Sequence, residues 1–297
     1  MKQLKILVAL IAGLFSFTSA NAGEMTVSGT MQATYQSEGD DVTGNPLGLN
    51  TDLKFTGTTE VLNGTAVTWT LATDGTFAGD AGADHKLAFA TPSFGTFSVG
   101  NSSDSANAVD DITPSAFEEA NGAGSGTYSV DFGSGLEGSM NVGYSNANIL
   151  GSGVGLSYSY YPKLDGTTNN EKGSSVGTVD AKSAQSANVK VTGANVSGIS
   201  GTLLEGLVVT AGYEISDALV DGNQNKEGAT VALNYAYGPV KVGYQKKAYA
   251  AKATTVAADT FFKDDIYGIA VAVNDSLALS YNVIESTRTN NNSAANT

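Results

Sequence analysis

The chain has 297 residues and no cysteine, which excludes disulfide bonds, thiol catalysis and cysteine-ligated metal sites. Its 15 basic and 29 acidic residues give a net charge of −14, so nucleic acid is a poor partner. Only 41% of the residues are hydrophobic, 36 are glycine, and no useful helix-period stretch follows residue 22, which favours an all-β protein with extensive polar surface.

The N-terminus has the pattern of a secretory signal peptide. Lys2 and Lys5 form a basic start, residues 6–17 are mostly apolar, and Ala20-Asn21-Ala22 is a typical cleavage site. The apolar run is too short for a membrane-spanning helix. We therefore predict a signal peptide over residues 1–22, cleaved after Ala22. The mature chain, 23–297, then has 13 basic and 29 acidic residues and a net charge of −16.

Strands with two different faces follow. From Met25 to Gln36 apolar residues or glycine alternate strictly with polar residues, over a length that exceeds the ~5–6 residues of a typical soluble strand. A tilted membrane strand needs about 9–11 residues. The same alternation returns from Leu47 to Thr59, and long loops alternate with tight turns such as Asn63-Gly64. This organisation predicts a transmembrane, antiparallel, up-and-down β-barrel.

The stretch from Phe94 to Gly126 is the most informative. Residues 94–100 read as a short strand, and the connection from Asn101 to Gly126 is unusually long for a strand-rich chain, which usually indicates function. It also carries apolar anchors, Ile112, Pro114 and Phe117. We interpret residues 101–126 as an acidic loop folded into the bore of the barrel. Its acidic residues are Asp104, Asp110, Asp111, Glu118 and Glu119.

The later strands are clear except between Gly126 and Tyr161. There the apolar residues stay at even-numbered positions on both sides of Gly133–Gly135, so the alternation does not show where a strand ends. That tripeptide is a hairpin turn, a bend, or part of the inserted loop, and strand direction favours one of the last two. About thirteen strands are expected, with Arg288 outside them in a polar tail. Since barrels of this kind usually have an even number, we expect a truncated chain that lacks about three closing strands.

By its pattern of strands, the whole mature chain resembles the general porins of Gram-negative bacteria, and the resemblance is most specific from Leu87 to Asp111. Members of that family carry a similar F-G-x-(apolar)-x-x-G strand before a constriction loop, and here the strand reads FGTFSVG. The resemblance implies a sixteen-stranded barrel in outer-membrane lipid, and a homotrimer in which the first few strands pack against neighbouring subunits. It also implies a channel for ions and small hydrophilic solutes. Two departures are Asn101, where many members have arginine, and Thr297, where members end in an aromatic residue.

The working element of such a channel is a field between loop acids and wall bases. Lysines are flexible point charges, so this wall should be less rigid than an arginine ladder. With a mature charge of −16, we predict mild cation preference. The alternative is that the acids and lysines are merely solvated, away from any constriction. The candidate wall bases are Lys54, Lys86, Lys190, Lys241 and Lys247.

No enzyme, cofactor or metal site is predicted. His85 is the sole histidine, and without a nucleophile elbow it reads as a rim residue. Trp69, on an outward face, fits packing against lipid or a subunit. The acidic run with Asp40 and Asp41 is a weak Ca²⁺ candidate, because its spacing fits no defined calcium loop.

Two other functions remain open from the sequence. The chain is alternatively a non-channel outer-membrane surface protein, such as an adhesin or structural barrel, which bilayer conductance would distinguish. It is alternatively a secreted carbohydrate-binding β-protein. The outward rows of valine, leucine and tyrosine argue against the second, since a soluble fold would expose a large apolar patch.

Overall fold

The computed structural model describes residues 24–35, 47–61, 64–74, 84–101, 105–115, 132–133, 136, 139–164, 183–218, 225–250 and 260–290. They form one sheet of 13 strands, ordered as in the sequence. The strands are β1 Glu24–Tyr35, β2 Leu47–Val61, β3 Thr65–Asp74, β4 Asp84–Thr91, β5 Gly95–Gly100, β6 Asn141–Asn146, β7 Val154–Tyr161, β8 Ala184–Thr192, β9 Leu207–Ser216, β10 Lys226–Tyr237, β11 Val240–Ala250, β12 Thr260–Asn274 and β13 Leu277–Asn290.

All neighbouring strands are antiparallel, so the predicted up-and-down order is confirmed. Short 3-10 helices lie at Asn107–Val109, Ile149–Gly151 and Gly193–Asn195. Among the described residues, no helix is both long and apolar enough to cross a membrane.

The sheet has two faces of opposite character. Along β10, Lys226, Gly228 and Thr230 are buried, whereas Val231 and Leu233 are 46% and 50% exposed. We call the first face, with its buried polar side chains, the inner face, and the second the outer face. Side chains of successive strand residues point to opposite faces, so the sequence alternation translates directly into this division.

Strand register carries the inner face around the sheet. Lys86 of β4 pairs with Gly100 of β5, and Gly100 pairs with Asn141 of β6. Further along, Ser216 of β9 pairs with Lys226 of β10. The opposite residues on these strands form outward rows of valine, leucine and tyrosine, up to the 70% exposed Tyr281. Such rows fit contact with lipid.

Two predicted boundaries were wrong. Arg288 lies inside β13, paired with Phe262 of β12, and not outside the strands. Both faces of β13 are polar near its end, which hid the alternation there. The strand predicted from Phe94 begins at Gly95, because Phe94 belongs to the preceding turn, where its N–H donates to Thr91 Oγ1 at 3.0 Å.

The stretch after Gly126 also differs from a simple strand. Phe132 and Leu136, which keep the apolar parity, lie in turns and are fully buried, and β6 begins only at Asn141. Phe132 and Leu136 are apolar because they pack in turns, and their spacing in the sequence does not come from the alternation of a strand. The connection between β8 and β9, residues 193–206, is longer than the turns at the same rim, which the sequence interpretation did not anticipate.

Candidate functional site: the loop between β5 and β6

The described part of the long loop, residues 105–115, lies against the inner face of the sheet. It begins at β7 and β8, where the Ser105 N–H donates to Ser159 Oγ at 3.1 Å. The Ser105 and Ser186 hydroxyl oxygens are 2.6 Å apart, and Asn188 Nδ2 donates to the Ser105 carbonyl at 2.6 Å. All four residues are buried. The loop therefore starts its path fixed to two strands of the wall.

Gln245 of β11 holds the middle of the loop with its side-chain amide. Its Nε2 donates to the carbonyl oxygens of Val109, at 2.9 Å, and Asp110, and also to Thr230 Oγ1 at 2.9 Å. Its Oε1 accepts the Ile112 N–H at 3.2 Å. Gln245 is fully buried, so these hydrogen bonds take the place of bonds to water for its side-chain amide and for the backbone groups of the loop.

Two asparagines continue the attachment toward β13. Asn234 Nδ2 of β10 donates to the Ile112 carbonyl at 2.9 Å, and Asn282 Nδ2 of β13 donates to the Pro114 carbonyl at 3.2 Å. The loop thus contacts inner-face side chains from β7 to β13. Side-chain amides suit this task because each offers two donors and an acceptor to a backbone that is not in a sheet.

Glycines in the wall let the loop approach closely. A Cβ at Gly212 of β9 would lie 2.7 Å from Val109 Cγ2, and one at Gly268 of β12 would lie 2.7 Å from the Pro114 carbonyl oxygen. A Cβ at Gly243 of β11 would clash with the Pro114 ring. Any larger residue at these positions would displace the loop from the wall.

A buried ion pair fixes the charged part of the loop. Lys247 Nζ of β11 lies 2.8 Å from Asp110 Oδ1 and 2.8 Å from Asp111 Oδ1. The side chains of Lys247 and Asp110 are only 4% and 12% exposed, whereas that of Asp111 is 44% exposed. Asp110 Oδ1 also accepts the Phe132 N–H at 2.8 Å. Of the two carboxylates, Asp111 is the one that faces solvent.

Burial raises the pKa of the Asp110 carboxyl to about 7. The Lys247 ammonium and the Phe132 N–H act in the opposite direction, and the neighbouring Asp111 carboxylate acts in the same direction as burial. Desolvation dominates because the charged form loses most of its water at this depth. Asp110 is therefore an acid that titrates near neutral pH, within hydrogen-bonding distance of a lysine.

Apolar residues complete the contact between loop and wall. A single-layer sheet cannot bury an apolar core by itself, so a second layer is needed. Here turns of the long connection supply that layer and pack on inner-face residues. The buried cluster consists of Ala106, Val109, Phe132, Leu136, Tyr161, Leu164 and Ala184, with Ile112 packed against it.

The structure brings together three of the predicted charged residues, Asp110, Asp111 and Lys247. The other predicted bases occupy inner-face positions by register, but the described contacts join none of them to residues 105–115. These bases are Lys54, Lys86, Lys190 and Lys241. Asp104, Glu118 and Glu119 lie outside the described residues, as do the calcium candidates Asp40 and Asp41.

Sequence reasoning missed the uncharged anchors Gln245, Asn234 and Ser105. The only signal was their position on the polar side of an alternating strand, or in the loop itself. Asn101, noted as a departure from the family pattern, bonds the backbone of His85: its N–H donates to the His85 carbonyl at 2.9 Å, and its Oδ1 accepts the His85 N–H. Trp69 is 43% exposed on the outer face.

A lipid-compatible outer face, a polar inner face and a loop bound to the inner face define the wall of a membrane channel. The sequence model of the Gram-negative porin family matches residues 7–297. The chain belongs to this family of outer-membrane porins. A search of curated protein sequences found no match.

Solved porin structures share the fold. OmpF of Salmonella typhi, solved in complex with daunomycin, is 14% identical, with 92% of this chain and 82% of that chain covered and a TM-score of 0.62. A porin refined at 1.8 Å is 15% identical over 90% of this chain and 85% of that chain, with a TM-score of 0.58. OmpT of Vibrio cholerae, in its trimer form, is 15% identical over 93% and 94%, with a TM-score of 0.50.

Proposed function

We propose that the chain forms a water-filled channel for passive diffusion of ions and small hydrophilic solutes, with mild cation preference and no chemical reaction. The observation that carries this proposal is the attachment of residues 105–115 across the inner face, from Ser159 to Asn282. A loop held inside a barrel by buried polar contacts narrows the water path. Membership of the porin family supports the same function.

The constriction combines loop acids with wall bases. We assign Asp104, Asp110, Asp111, Glu118 and Glu119 to the acidic side and Lys54, Lys86, Lys190 and Lys241 to the basic wall. Lys54 and Lys86 are on β2 and β4, outside the run of strands that the loop contacts, which suits a field across the pore. Lys247 has a different task, since it binds Asp110 and Asp111 and thereby anchors the loop.

The cation preference follows from the charge balance. At the anchor, two carboxylates face one ammonium group, and the better exposed carboxylate is that of Asp111. The mature chain, after cleavage at Ala22, carries −16. A negative lumen raises the local concentration of cations relative to anions.

We further propose a homotrimer in contact with outer-membrane lipids. Met25, Val27 and Met31 of β1 are 63%, 56% and 72% exposed on one face, which fits packing against a neighbouring subunit or lipid. The OmpT structure, described as a trimer form, is a relative with this assembly. Cross-linking in the native membrane, followed by denaturing electrophoresis, tests the trimer; a single band at the mass of the mature monomer would contradict it.

Planar-bilayer recording tests the channel. The protein should produce discrete conductance steps that scale with salt concentration. In a tenfold KCl gradient, the sign of the reversal potential should show cation preference. Asp111→Asn should reduce this preference, whereas Glu227→Gln, on the outer face, should leave it unchanged. Absence of conductance steps would contradict the channel, and anion preference would contradict the charge argument.

A further inference from the structure

The long connection between β8 and β9 is held together by its own hydrogen bonds. Residues 193–206 form a series of tight turns, in which the Glu205 N–H donates to the Thr202 carbonyl at 3.1 Å. The Glu205 carboxylate closes the same segment from its other end, because its Oε2 accepts the Gly201 N–H at 2.7 Å. We call residues 193–206 the ledge. Its backbone is fixed by these bonds, so the ledge presents a defined surface at the rim of the short turns.

The ledge lies against the outer-face side of β10. Tyr235, which follows the outer-face residue Leu233 by two positions, donates its hydroxyl to the Leu203 carbonyl at 2.7 Å. The Ala236 N–H donates to the Gly206 carbonyl at 3.0 Å. A Cβ at Gly206 would lie 1.9 Å from the Ala236 carbonyl oxygen, so only glycine permits this approach. The ledge therefore continues the outer face beyond the end of the strand.

Two leucines project from the ledge. Leu203 and Leu204 are 73% and 53% exposed, although the backbone around them is ordered by hydrogen bonds. Glu205 is the sole charged residue in the sequence of the ledge, and its carboxylate binds the ledge backbone. Neighbouring exposed leucines on a rigid and nearly uncharged element form an apolar contact surface, which marks an interaction site.

We propose that Leu203 and Leu204 insert into the bilayer at the rim of the short turns, at the level where lipid headgroups meet acyl chains. Tyrosines on the outer face of a membrane barrel lie at this level. Tyr235 and the 64% exposed Tyr237 end the outer row of β10, and Tyr235 holds Leu203 directly. This inference rests on the proposed contact of the outer face with membrane lipid.

The composition of the ledge selects the class of lipid. The ledge contains no lysine or arginine, so it lacks the groups that attract anionic headgroups. Its affinity comes from the two leucines, and its hydroxyl and N–H groups suit a zwitterionic phospholipid. A neighbouring subunit is a poorer occupant, because β9 and β10 are not among the first strands, which the proposed trimer contact uses. The contact should therefore be insensitive to salt and to the fraction of anionic lipid.

Nitroxide labels measure the depth of the ledge directly. The chain contains no cysteine, so a single introduced thiol carries the label. In phosphatidylcholine vesicles, collisions with oxygen and with a water-soluble nickel complex distinguish lipid from water. The label at Leu203→Cys should approach the lipid reading of Leu233→Cys on the outer face, whereas Asp275→Cys in the β12–β13 turn should read as water. Addition of phosphatidylglycerol should not change the Leu203→Cys reading.

Variants test the anchor and the leucines separately. Tyr235→Phe should increase the mobility and the nickel collisions of the label at Leu203→Cys, because the ledge loses its hydroxyl anchor. Tyr281→Phe, the same substitution on the outer face of β13, should not. Replacing Leu203 and Leu204 together by serine should lower the equilibrium constant for folding into vesicles by about tenfold, measured in urea. Asn195→Ser, also on the ledge, should leave it unchanged.

The outcomes separate this inference from the proposal on which it rests. A water reading at Leu203→Cys with a lipid reading at Leu233→Cys would overturn the ledge contact, while the lipid contact of the outer face stands. That result would leave the leucines facing a soluble partner. Water readings at both positions would contradict the lipid contact itself. A Leu203→Cys reading that requires phosphatidylglycerol would overturn the assigned lipid class. If the double serine variant does not fold, the label depths decide.

Discussion

The substitution Gln245→Glu removes the donor that holds the loop while preserving the size of the side chain. The Gln245 Nε2 group donates to the carbonyl oxygens of Val109 and Asp110, and in the variant an anionic oxygen faces both. The Ile112 N–H keeps its acceptor. The change therefore acts on the loop contact, and the strand pairing of β11 with its neighbours stays intact.

The expected effect follows from the two carbonyl groups. Each buried group that loses its partner costs about 1–3 kcal/mol, so the bound loop is destabilised by at least about 2 kcal/mol. Burial of an additional carboxylate beside Asp110 increases this cost. A change of about 2 kcal/mol shifts the equilibrium toward the detached loop by about thirtyfold. Water in the lumen then satisfies the freed backbone groups.

Single-channel recording measures the consequence. Gln245→Glu should increase the unit conductance and add slow fluctuations between conductance levels, since a detached loop no longer narrows the pore. The control is Gln185→Glu, the same substitution on the outer face of β8, where Gln185 accepts only the Tyr158 hydroxyl in the described contacts. Wild-type conductance and noise in Gln245→Glu, with the variant correctly folded, would refute the reasoning.

Three further predictions concern the same anchor. Lys247→Met leaves Asp110 and Asp111 without their cation, so it should destabilise the bound loop by about 3–5 kcal/mol and raise cation preference. Adding Asp110→Asn to this variant should partly reverse both effects. Thermal unfolding measures the stability, and the reversal potential measures the selectivity. Acidification from pH 8 to pH 6 should protonate Asp110 and lower cation preference, an effect that Asp110→Asn should abolish. Gly243→Val should force Pro114 off the wall and increase conductance, and unchanged currents would contradict the close approach.

The sign of the pH effect on stability follows from the same pKa. Burial raises the pKa of Asp110 from an ordinary 3.8 to about 7, so the bound loop favours the protonated carboxyl. Its contribution to stability is complete below about pH 3.8 and is lost as the pH rises through about 7. Thermal unfolding of wild type and Asp110→Asn across this range should converge at acid pH. A gap that widens on acidification would contradict this assignment.

The fold was predictable because each strand has two constant environments. An exposed apolar face on one side and polar contacts on the other impose alternation on every strand, as in Met25–Gln36, and local turns mark where strands reverse. The alternation between apolar and polar residues did not predict the end of β13, because both faces of that strand are polar around Arg288. The alternation rule also failed for Phe132 and Leu136, which are buried in turns packed on the wall and do not belong to an alternating strand.

The site was predictable only in part because its contacts are distant in sequence. Composition identified an acidic loop with Asp110 and Asp111, and polarity placed Lys247 among five equivalent bases on the inner face. Nothing local distinguishes Lys247 from Lys241 on the same strand. Gln245 lies 135 residues from Asp110, whose carbonyl it binds, so its role is set by the path of the loop across the sheet.

Site-directed labelling at Asp111 tests most directly whether this loop lines a conducting pore. The chain contains no cysteine, so Asp111→Cys provides a single reactive thiol, and Val231→Cys on the outer face provides its counterpart. Reaction with a bulky cationic methanethiosulfonate, followed by mass spectrometry, should be accompanied by lower unit conductance and lower cation preference in Asp111→Cys alone. Complete labelling of Asp111→Cys with unchanged conductance and selectivity would contradict the account.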